Sequence, residues 1–422
     1  MGRRKLRTPG LLDPAAVREA LGRGGWSEVH AWRLWGHIAR GRAGGVEAVP
    51  GLPRGFRQAL EGGGFLASTS TVLERQEAGG GRLTKLVVGL QDGHRVEACI
   101  IRHAVQGGGG SCSGGGGVSG GEGGSADLAP EERLALNSEF KGGGGGSGVA
   151  GEGTRPDKKL RSARTTLCVS SQVGCKMACS FCATGTMGQL GNLTAGEILE
   201  QVVHAMETDP IRNIVFMGMG EPLNNYKAVL DAVRVLVDTR AFGLSPSRVT
   251  ISTVGVVPRI LQMATDCPAV NLALSLHAPT QDLRLKIVPS AKAYPLPRLM
   301  DACLQWQEKT GKRLLVEYVV LAEVNDSLEC AQQVGELLDE FDVLVNLIPW
   351  NPTESGEELG CKVPEKEQVR KFQQTLTEGF DILCTVRQEF GQEVQGACGQ
   401  LALKHGEANV GAVVRDIEDF AL

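Results

Sequence analysis

The sequence has no long hydrophobic run. Nowhere in its 422 residues do about 18 apolar residues follow one another, so we expect no membrane span. It also lacks the apolar stretch of a secretion signal, and we therefore expect a reducing compartment, in which its 12 scattered cysteines form no disulfide framework. A hydrophobic fraction of 42% excludes a wholly disordered chain.

Glycine is abundant, at 58 residues, but the excess is local. The stretch 107–153 holds 20 glycines in 47 positions and almost no apolar side chains. Such a segment cannot bury enough surface to offset the entropy lost on ordering. We therefore expect residues 103–160 to be a flexible, disordered insertion that acts as a spacer.

Charge is also unevenly distributed. The first 60 residues carry 11 Lys and Arg against 4 Asp and Glu, whereas the whole chain has a net charge of −4. A basic segment on an acidic body favours a polyanionic partner that binds at one end. The Arg-rich start also fits part of an organellar targeting peptide, and a solvated basic face is a further alternative.

After residue 165, six strand-like apolar runs alternate with helical periods. The strand-like runs are Thr166–Ser170, Asn213–Met217, Arg248–Ser252, Val270–Ser275, Leu314–Leu321 and Val343–Ile348. The helical periods are Ala195–Glu207, Tyr226–Asp238, Val257–Ala264, Leu296–Glu308, Leu328–Asp339 and Glu365–Glu378. This alternation predicts an α/β fold with a parallel sheet, open or closed, whose ligands bind at the carboxyl ends of the strands.

The region before the insertion has a different pattern. Residues 11–60 have the spacing of short helices, and residues 70–102 that of strands with a hairpin turn at Gln91-Asp92-Gly93. We therefore predict four parts, namely an N-terminal α+β accessory, RNA-binding domain (1–102), the Gly-rich insertion (103–160), a catalytic α/β domain (161–403) and a C-terminal tail (404–422).

Three closely spaced cysteines follow the first of the six strands. Cys175, Cys179 and Cys182 form the pattern C-x3-C-x2-C, with no fourth cysteine at ligand spacing. Three thiolates on one loop can bind three irons of a cubane cluster and leave the fourth iron open to a substrate. A structural zinc site usually has four ligands in two pairs, so zinc is a weaker alternative, as are buried thiols without a metal. The pattern and its place in the fold match radical S-adenosylmethionine enzymes.

The wider sequence resembles one family within that class. In order along the chain occur the segments TTLCVSSQVGCKMACSFCATG, FMGMGEPLNN, RVTISTVGVVP, LSLHAP, VEYVVL, NLIPWNP and ACGQLA. Together they resemble the RlmN-type rRNA/tRNA adenine-C2 methyltransferases. The resemblance is dense from about residue 160 to 403 and looser over 11–102, and it implies a partial (βα)6 radical-SAM barrel.

The resemblance also implies a reaction through a methylated cysteine. One S-adenosylmethionine would methylate Cys398, and a second would be cleaved reductively at one [4Fe–4S] cluster to a radical that takes a hydrogen from that methyl group. The carbon radical would then add to adenine C2. Glu97 would accept the C2 proton, and Cys168 would release the RNA by forming a transient disulfide with Cys398.

Further residues match the family's cofactor-binding segments. By this resemblance the residues that bind S-adenosylmethionine are Gly220, Glu221, Ser252, Ser275, Leu276, His277 and Asn351. The implied partners are an rRNA or tRNA substrate and an electron donor of the flavodoxin or ferredoxin type. The implied enzyme is monomeric and cytoplasmic, with a chloroplast or other organelle matrix as the alternative.

The sequence departs from the family just before Cys398. Glu389 and Glu393 are acidic where RNA phosphates would favour basic side chains. This departure concerns RNA affinity and the identity of the substrate, and not the chemistry. Because adenine C2 and C8 enzymes share these motifs, the alternative functions are a C8-directed adenosine methylase, another radical S-adenosylmethionine enzyme, and an RNA-binding protein with a structural cluster. A protein that only bound RNA would have no need of both Cys168 and Cys398.

The composition of the insertion gives the first testable prediction. Because residues 107–153 cannot pack, shortening them to a few residues should leave methyltransferase activity within about twofold of the full chain. Activity per folded molecule on RNA measures this. Loss of activity in a folded, shortened protein would give the segment a role beyond that of a spacer.

Overall fold

A computed structural model describes residues 4, 6–41, 45–103, 164–387 and 391–401. Apart from His103, the predicted insertion 103–160 lies outside the described residues, as does the predicted tail 404–422. The boundaries of the four predicted parts therefore stay predictions.

One ten-stranded sheet runs through the molecule, accompanied by a separate two-stranded hairpin. In chain order the strands are β1 (Ser70–Ala78), β2 (Leu83–Leu90), β3 (Arg95–His103), β4 (Arg164–Cys168), β5 (Gln172–Cys175), β6 (Gly188–Asn192), β7 (Asn213–Phe216), β8 (Val249–Thr253), β9 (Asn271–Ser275), β10 (Leu314–Val320), β11 (Val343–Pro349) and β12 (Leu383–Val386). Strands β5 and β6 form the hairpin, and the large sheet has the order β1-β2-β3-β4-β7-β8-β9-β10-β11-β12.

Helices connect the strands and cover the sheet. They are α1 (Pro14–Gly24), α2 (Val29–Ala39), α3 (Arg54–Gly62), α4 (Ala183–Thr186), α5 (Ala195–Met206), α6 (Tyr226–Val237), α7 (Val257–Asp266), α8 (Gln281–Ile287), α9 (Leu296–Thr310), α10 (Leu328–Leu338), α11 (Glu354–Glu358) and α12 (Lys366–Gly379). The capping box that begins α5 is present, because the side chain of Thr194 accepts from the N–H of Glu197 and the Glu197 carboxylate accepts from the N–H of Thr194.

The six predicted strand–helix units are confirmed, and a seventh parallel strand follows them. Strands β4 and β7 to β12 are parallel to one another. Strands β10 and β11 are nearly continuous apolar runs, as expected for strands covered on both faces. Within the described residues the edge strands β1 and β12 do not pair with each other, so the barrel is partial.

The N-terminal strands extend the barrel sheet. Strand β3 runs antiparallel to β4, with Cys99 opposite Cys168 and His103 opposite Arg164. The three antiparallel strands β1–β3 and the seven parallel strands thus form a single hydrogen-bonded surface. Sequence reasoning predicted the strands but not this pairing, because no local pattern reports which strands become neighbours across an insertion.

A buried carboxylate attaches the N-terminal region to the barrel. Glu200 on α5 is 1% exposed, and its oxygens accept from the hydroxyl of Ser68, the hydroxyl and N–H of Thr69, and the hydroxyl of Ser70. Helices α1 to α3 pack on the same core through residues such as Trp35 and Phe56. The start of β1 is therefore fixed to α5 by polar contacts within an apolar surrounding.

Removing this acceptor should weaken the whole fold. In Glu200→Ala four donors lose their partner, and we expect a loss of about 3 kcal/mol in the free energy of unfolding, measured in urea. The matched control is Glu19→Ala, which removes an exposed pair with Arg23 and should cost less than about 0.5 kcal/mol. Equal losses in the two variants would contradict the anchoring role.

Candidate active site

The predicted site residues gather at the carboxyl ends of the parallel strands. Ser252 on β8 and Ser275 at the end of β9 lie side by side, with their hydroxyl oxygens 3.3 Å apart. Cys168 ends β4. The parallel register predicted this edge of the sheet as the ligand site.

A tight hairpin positions the first cysteine of the cluster loop, which we define as residues 175–182. Cys175 ends β5, opposite Gly188 on β6. Gly174 has a φ of 73°, and a Cβ there would lie 1.9 Å from the carbonyl oxygen of Gly188, so only glycine fits. Ala178 inside the loop also has a positive φ of 55°. The loop backbone is thus held in an unusual shape around its cysteines.

The three loop thiols influence one another electrostatically in a buried setting. Burial raises the pKa of Cys175 to about 12, and the neighbouring Cys182 adds to this effect. Burial raises the pKa of Cys179 as well, together with the charges of both other cysteines. Backbone N–H groups oppose the shift, from Met177 towards Cys175 and from Gly185 and Thr184 towards Cys182.

These features fit an iron–sulfur cluster. Thiols buried together without a metal would stay protonated, whereas iron binds them as thiolates, and N–H donors aimed at the sulfurs stabilise that form. The loop packs among apolar side chains that exclude water, including Met177, Phe181 and Trp350.

Glu221 is held rigidly on the loop after β7. Its carboxylate oxygens accept from the N–H groups of Leu223 and Val254, at 2.9 Å each. Gly220 beside it has a φ of 98°, and a Cβ there would lie 2.5 Å from the Cβ of Gln172. Burial raises the pKa of Glu221 to about 7, against the opposing effect of the two N–H donors.

His277 follows β9 with a φ of 61° and is 3% exposed. Its Nδ1 accepts from the N–H of Val319 at 3.1 Å, and its ring meets Phe181 edge-on at 4.7 Å. Burial lowers its pKa to about 3, so the ring is neutral and its proton is assigned to Nε2. Only Nε2 therefore has a donor to offer a ligand. The preceding residue, Leu276, is buried in the core.

The segment 391–401, called here the C-terminal segment, is bonded to α4, the short helix that follows the cluster loop. The N–H of Ala183 donates to Gly399 O at 2.8 Å, and the Thr184 hydroxyl donates to Leu401 O. Asn351, predicted to bind cofactor, uses both ends of its amide here. It donates to Cys398 O at 3.1 Å and accepts from Gln392 at 3.1 Å.

This docking brings the two predicted reaction cysteines together. Burial raises the pKa of Cys168 to about 12, Cys398 adds to the shift and Arg387 opposes it. Arg387, just after β12, donates to the sulfur of Cys398 at 2.7 Å. Both cysteines are free thiols in this structure.

Glu97 lies on β3, the strand that pairs with the one carrying Cys168, in spite of the intervening insertion. The Ser170 hydroxyl, two residues after Cys168, donates to Glu97 O at 2.5 Å. The Glu97 carboxylate is 2% exposed and pairs with Lys85 at 2.7 Å. The β3–β4 pairing, and not proximity along the chain, places Glu97 on the strand next to the one that ends at Cys168. Cys99, two residues after Glu97 on β3, interacts electrostatically with Glu97 and with both thiols.

Sequence reasoning missed three side chains at this site, namely Lys85, Cys99 and Arg387. Cys99 follows Glu97 by two residues, so the two-residue period of a strand would have placed both on one face. Its sulfur donates to Gly396 O at 3.3 Å. Lys85 and Arg387 carry no motif of their own.

Within the described residues, no helix is both long and apolar enough to span a bilayer.

Comparison with known proteins defines the class first. The family model of the radical SAM superfamily matches residues 169–331. The crystal structure of a radical SAM methyltransferase from Sphaerobacter thermophilus superposes with a TM-score of 0.71 and 32% identity, over 93% of this chain and 99% of that one. The chain is thus a radical SAM methyltransferase, a class whose domain implies S-adenosylmethionine and an iron–sulfur cluster.

The relatives then define the family. A probable dual-specificity RNA methyltransferase RlmN from Desulforudis audaxviator is 36% identical over 356 residues, covering 84% of this chain and 92% of the relative. One of the same description from Moorella thermoacetica is 36% identical over 400 residues, covering 93% and 95%. The dual-specificity RNA methyltransferase RlmN 1 of Myxococcus xanthus is 44% identical over 243 residues, covering 56% and 67%. The chain belongs to the RlmN family, which confirms the predicted resemblance.

The raised pKa of Glu221 predicts how stability depends on pH. Between about pH 4.5 and 7 the unfolded carboxyl loses its proton while the folded one keeps it, so stability falls as pH rises. The fall should total about 3 kcal/mol and level off above pH 7. Urea unfolding from pH 4.5 to 8 should show this fall in the native chain relative to Glu221→Gln. The exposed control Glu61→Gln should follow the native chain, and parallel curves for Glu221→Gln would contradict the burial effect.

Proposed function

We propose that this protein methylates adenosine at C2 in rRNA, tRNA or both, through a methylated Cys398. The observation that carries the proposal is the convergence of Cys398 and Cys168 beside the cluster loop. The relatives' description as dual-specificity RNA methyltransferases supports an RNA substrate. A protein that bound RNA and held its cluster only for structure would not need the two free thiols of Cys168 and Cys398 close together at the carboxyl ends of the strands.

Cys175, Cys179 and Cys182 are the proposed ligands of one [4Fe–4S] cluster. The proposed S-adenosylmethionine site consists of Gly220, Glu221, Ser252, Ser275, Leu276, His277 and Asn351. When bound, cluster and cofactor supply a methyl group and a radical, with two S-adenosylmethionine molecules used per turnover. Glu221, with its oxygens fixed by backbone N–H groups, offers a rigid acceptor for the cofactor's ammonium group.

The protein's own residues divide the remaining work. Cys398 carries the methyl group, and Arg387 stabilises its sulfur as the thiolate that attacks the donor. Glu97 accepts the C2 proton from the RNA-bound intermediate, which also gives up one electron to the redox partner. The thiolate of Cys168 then attacks the sulfur of Cys398, and the bond between that sulfur and the former methyl carbon breaks. The carbon keeps the electron pair and takes up a proton to become the new methyl group, which frees the RNA and leaves a disulfide for an external reductant.

The acidic residue Glu393, which departs from the family pattern, has a structural role. Its carboxylate accepts from the N–H of Gly79 at 2.6 Å and so ties the C-terminal segment to the end of β1. We therefore place the RNA contact elsewhere, at the basic N-terminal region. Glu389 lies outside the described residues. We also propose an electron donor of the flavodoxin or ferredoxin type, a monomeric state, and a cytoplasmic or organellar location.

The regiochemistry is tested by the product. Anaerobic reaction with rRNA and tRNA, digestion to nucleosides and mass spectrometry against authentic standards should give 2-methyladenosine. 8-Methyladenosine would overturn the C2 assignment and favour the C8 alternative. S-Adenosylmethionine cleavage without any methylated nucleoside would point to another radical reaction.

The two thiols should have different null phenotypes. Cys398→Ala should leave RNA free and unmodified, because the methyl carrier is missing. Cys168→Ala should leave RNA covalently bound to Cys398, because no thiol can break the link. A denaturing gel of anaerobic reactions separates these outcomes, and each variant should lose at least about 100-fold in product.

The control is Cys267→Ala, which removes a partly buried thiol between the end of α7 and the start of β9, at the opposite edge of the sheet from the carboxyl ends of the strands. It should turn over like the native chain and give no adduct. Normal turnover by Cys168→Ala would show that Cys168 only fills the core, and the proposed release step would then be wrong.

A further inference from the structure

Lys85 is a buried cation that the proposed reaction does not use. Its side chain is 6% exposed, and its ammonium lies 2.7 Å from Oε1 of Glu97. The same nitrogen donates to the carbonyl oxygens of Val394 and Gln395, at 3.2 and 3.4 Å. One ammonium thus joins the candidate proton acceptor to the segment that carries Cys398.

The sheet dictates this arrangement. In the register of β2, β3 and β4, Lys85 lies opposite Cys99, and Cys99 lies opposite Cys168. Residues directly opposite in antiparallel strands share one face, so these three side chains form a row beneath the C-terminal segment. Two residues further along β2, Val87 lies opposite Glu97, which is therefore on the same face as Cys99.

Two glycines let the C-terminal segment approach the row closely. A Cβ on Gly391 would lie 2.8 Å from a methyl carbon of Leu83, and a Cβ on Gly396 would lie 2.9 Å from the other. Gly391 also has a φ of 86°. With both glycines in place, the carbonyls of Val394 and Gln395 come within reach of the lysine.

A buried carboxylate needs a partner to stay charged. Without a cation nearby, burial favours the protonated form, which cannot accept another proton. The two carbonyl contacts satisfy the remaining donors of the ammonium, as a buried charge requires. A methionine of similar length at this position would leave the carboxylate without its cation and the two carbonyls without this donor.

We propose that Lys85 is the positioning residue of the proton-transfer step. It keeps Glu97 ionised, aims it at the RNA-bound intermediate, and fixes its distance to Cys398 by holding the backbone at Val394 and Gln395. This inference rests on the proposed function, in which Glu97 accepts the C2 proton and Cys398 carries the methyl group.

The inference predicts a defect in one step. In Lys85→Met, methylation of Cys398 should stay within about threefold of the native rate, while release of RNA from the adduct slows about 100-fold, the scale of a positioned general base. Lys85→Arg, which retains the charge, should recover about tenfold of that loss. Intact-protein mass spectrometry follows Cys398 methylation, and a denaturing gel follows the adduct in single-turnover reactions.

Two further variants separate the possible failures. Glu97→Gln should stall at the adduct, and Glu97→Gln with Lys85→Met should be no slower than Glu97→Gln alone, since both remove one function. The control Lys312→Met removes a half-buried lysine that donates to Asn271 at the opposite ends of the strands, and it should release RNA normally.

Each remaining outcome is decisive. If Lys85→Met slows methylation and release alike, or adds fully to Glu97→Gln, Lys85 supports only the fold and the inference is wrong. If Glu97→Gln stalls but Lys85→Met does not, the inference fails while the proposed function stands. If Glu97→Gln releases RNA at the native rate, the proposed role of Glu97 fails with it.

Discussion

The antiparallel pairing of β3 with β4 is the contact on which the candidate site depends. It joins strands that are separated in sequence by the Gly-rich region and sets Cys99 opposite Cys168. Without it, Glu97 would belong to a separate N-terminal unit and would have no fixed distance to either reaction cysteine. Because hydrogen bonds in one sheet have little freedom, the pairing positions the carboxylate far more firmly than a contact between two domains would.

The C-terminal segment completes the site by docking on two surfaces at once. On one side it bonds to Ala183 and Thr184 of α4, the helix that follows the cluster loop, and on the other it contacts Lys85 and Cys99 on the antiparallel strands. Cys398 lies between these two anchorages. The segment therefore connects the half of the molecule that fits cluster and cofactor to the half that holds the proposed proton acceptor.

Much of this structure was predictable because its signals are local or motif-based. The period of apolar residues gave the six strand–helix units, and the spacing of Cys175, Cys179 and Cys182 gave the loop that fits a cluster. Strand β12 and the β5–β6 hairpin were missed because both are short, with four or five residues and little apolar alternation. Lys85 and Arg387 were missed because their importance comes from tertiary neighbours, and a single basic residue on a strand or loop has no distinctive pattern.

Charged side chains are unevenly distributed between the cluster loop and the part of the site around Glu97 and Cys398. The cluster loop packs among apolar side chains, and this burial raises the pKa of its thiols. On the other side, Lys85 faces Glu97 and Arg387 faces the sulfur of Cys398. Glu97 and Cys398 thus each have a fixed cation beside them. Such an arrangement suits ionic proton and thiol chemistry next to a radical-generating centre, because water can be excluded from both.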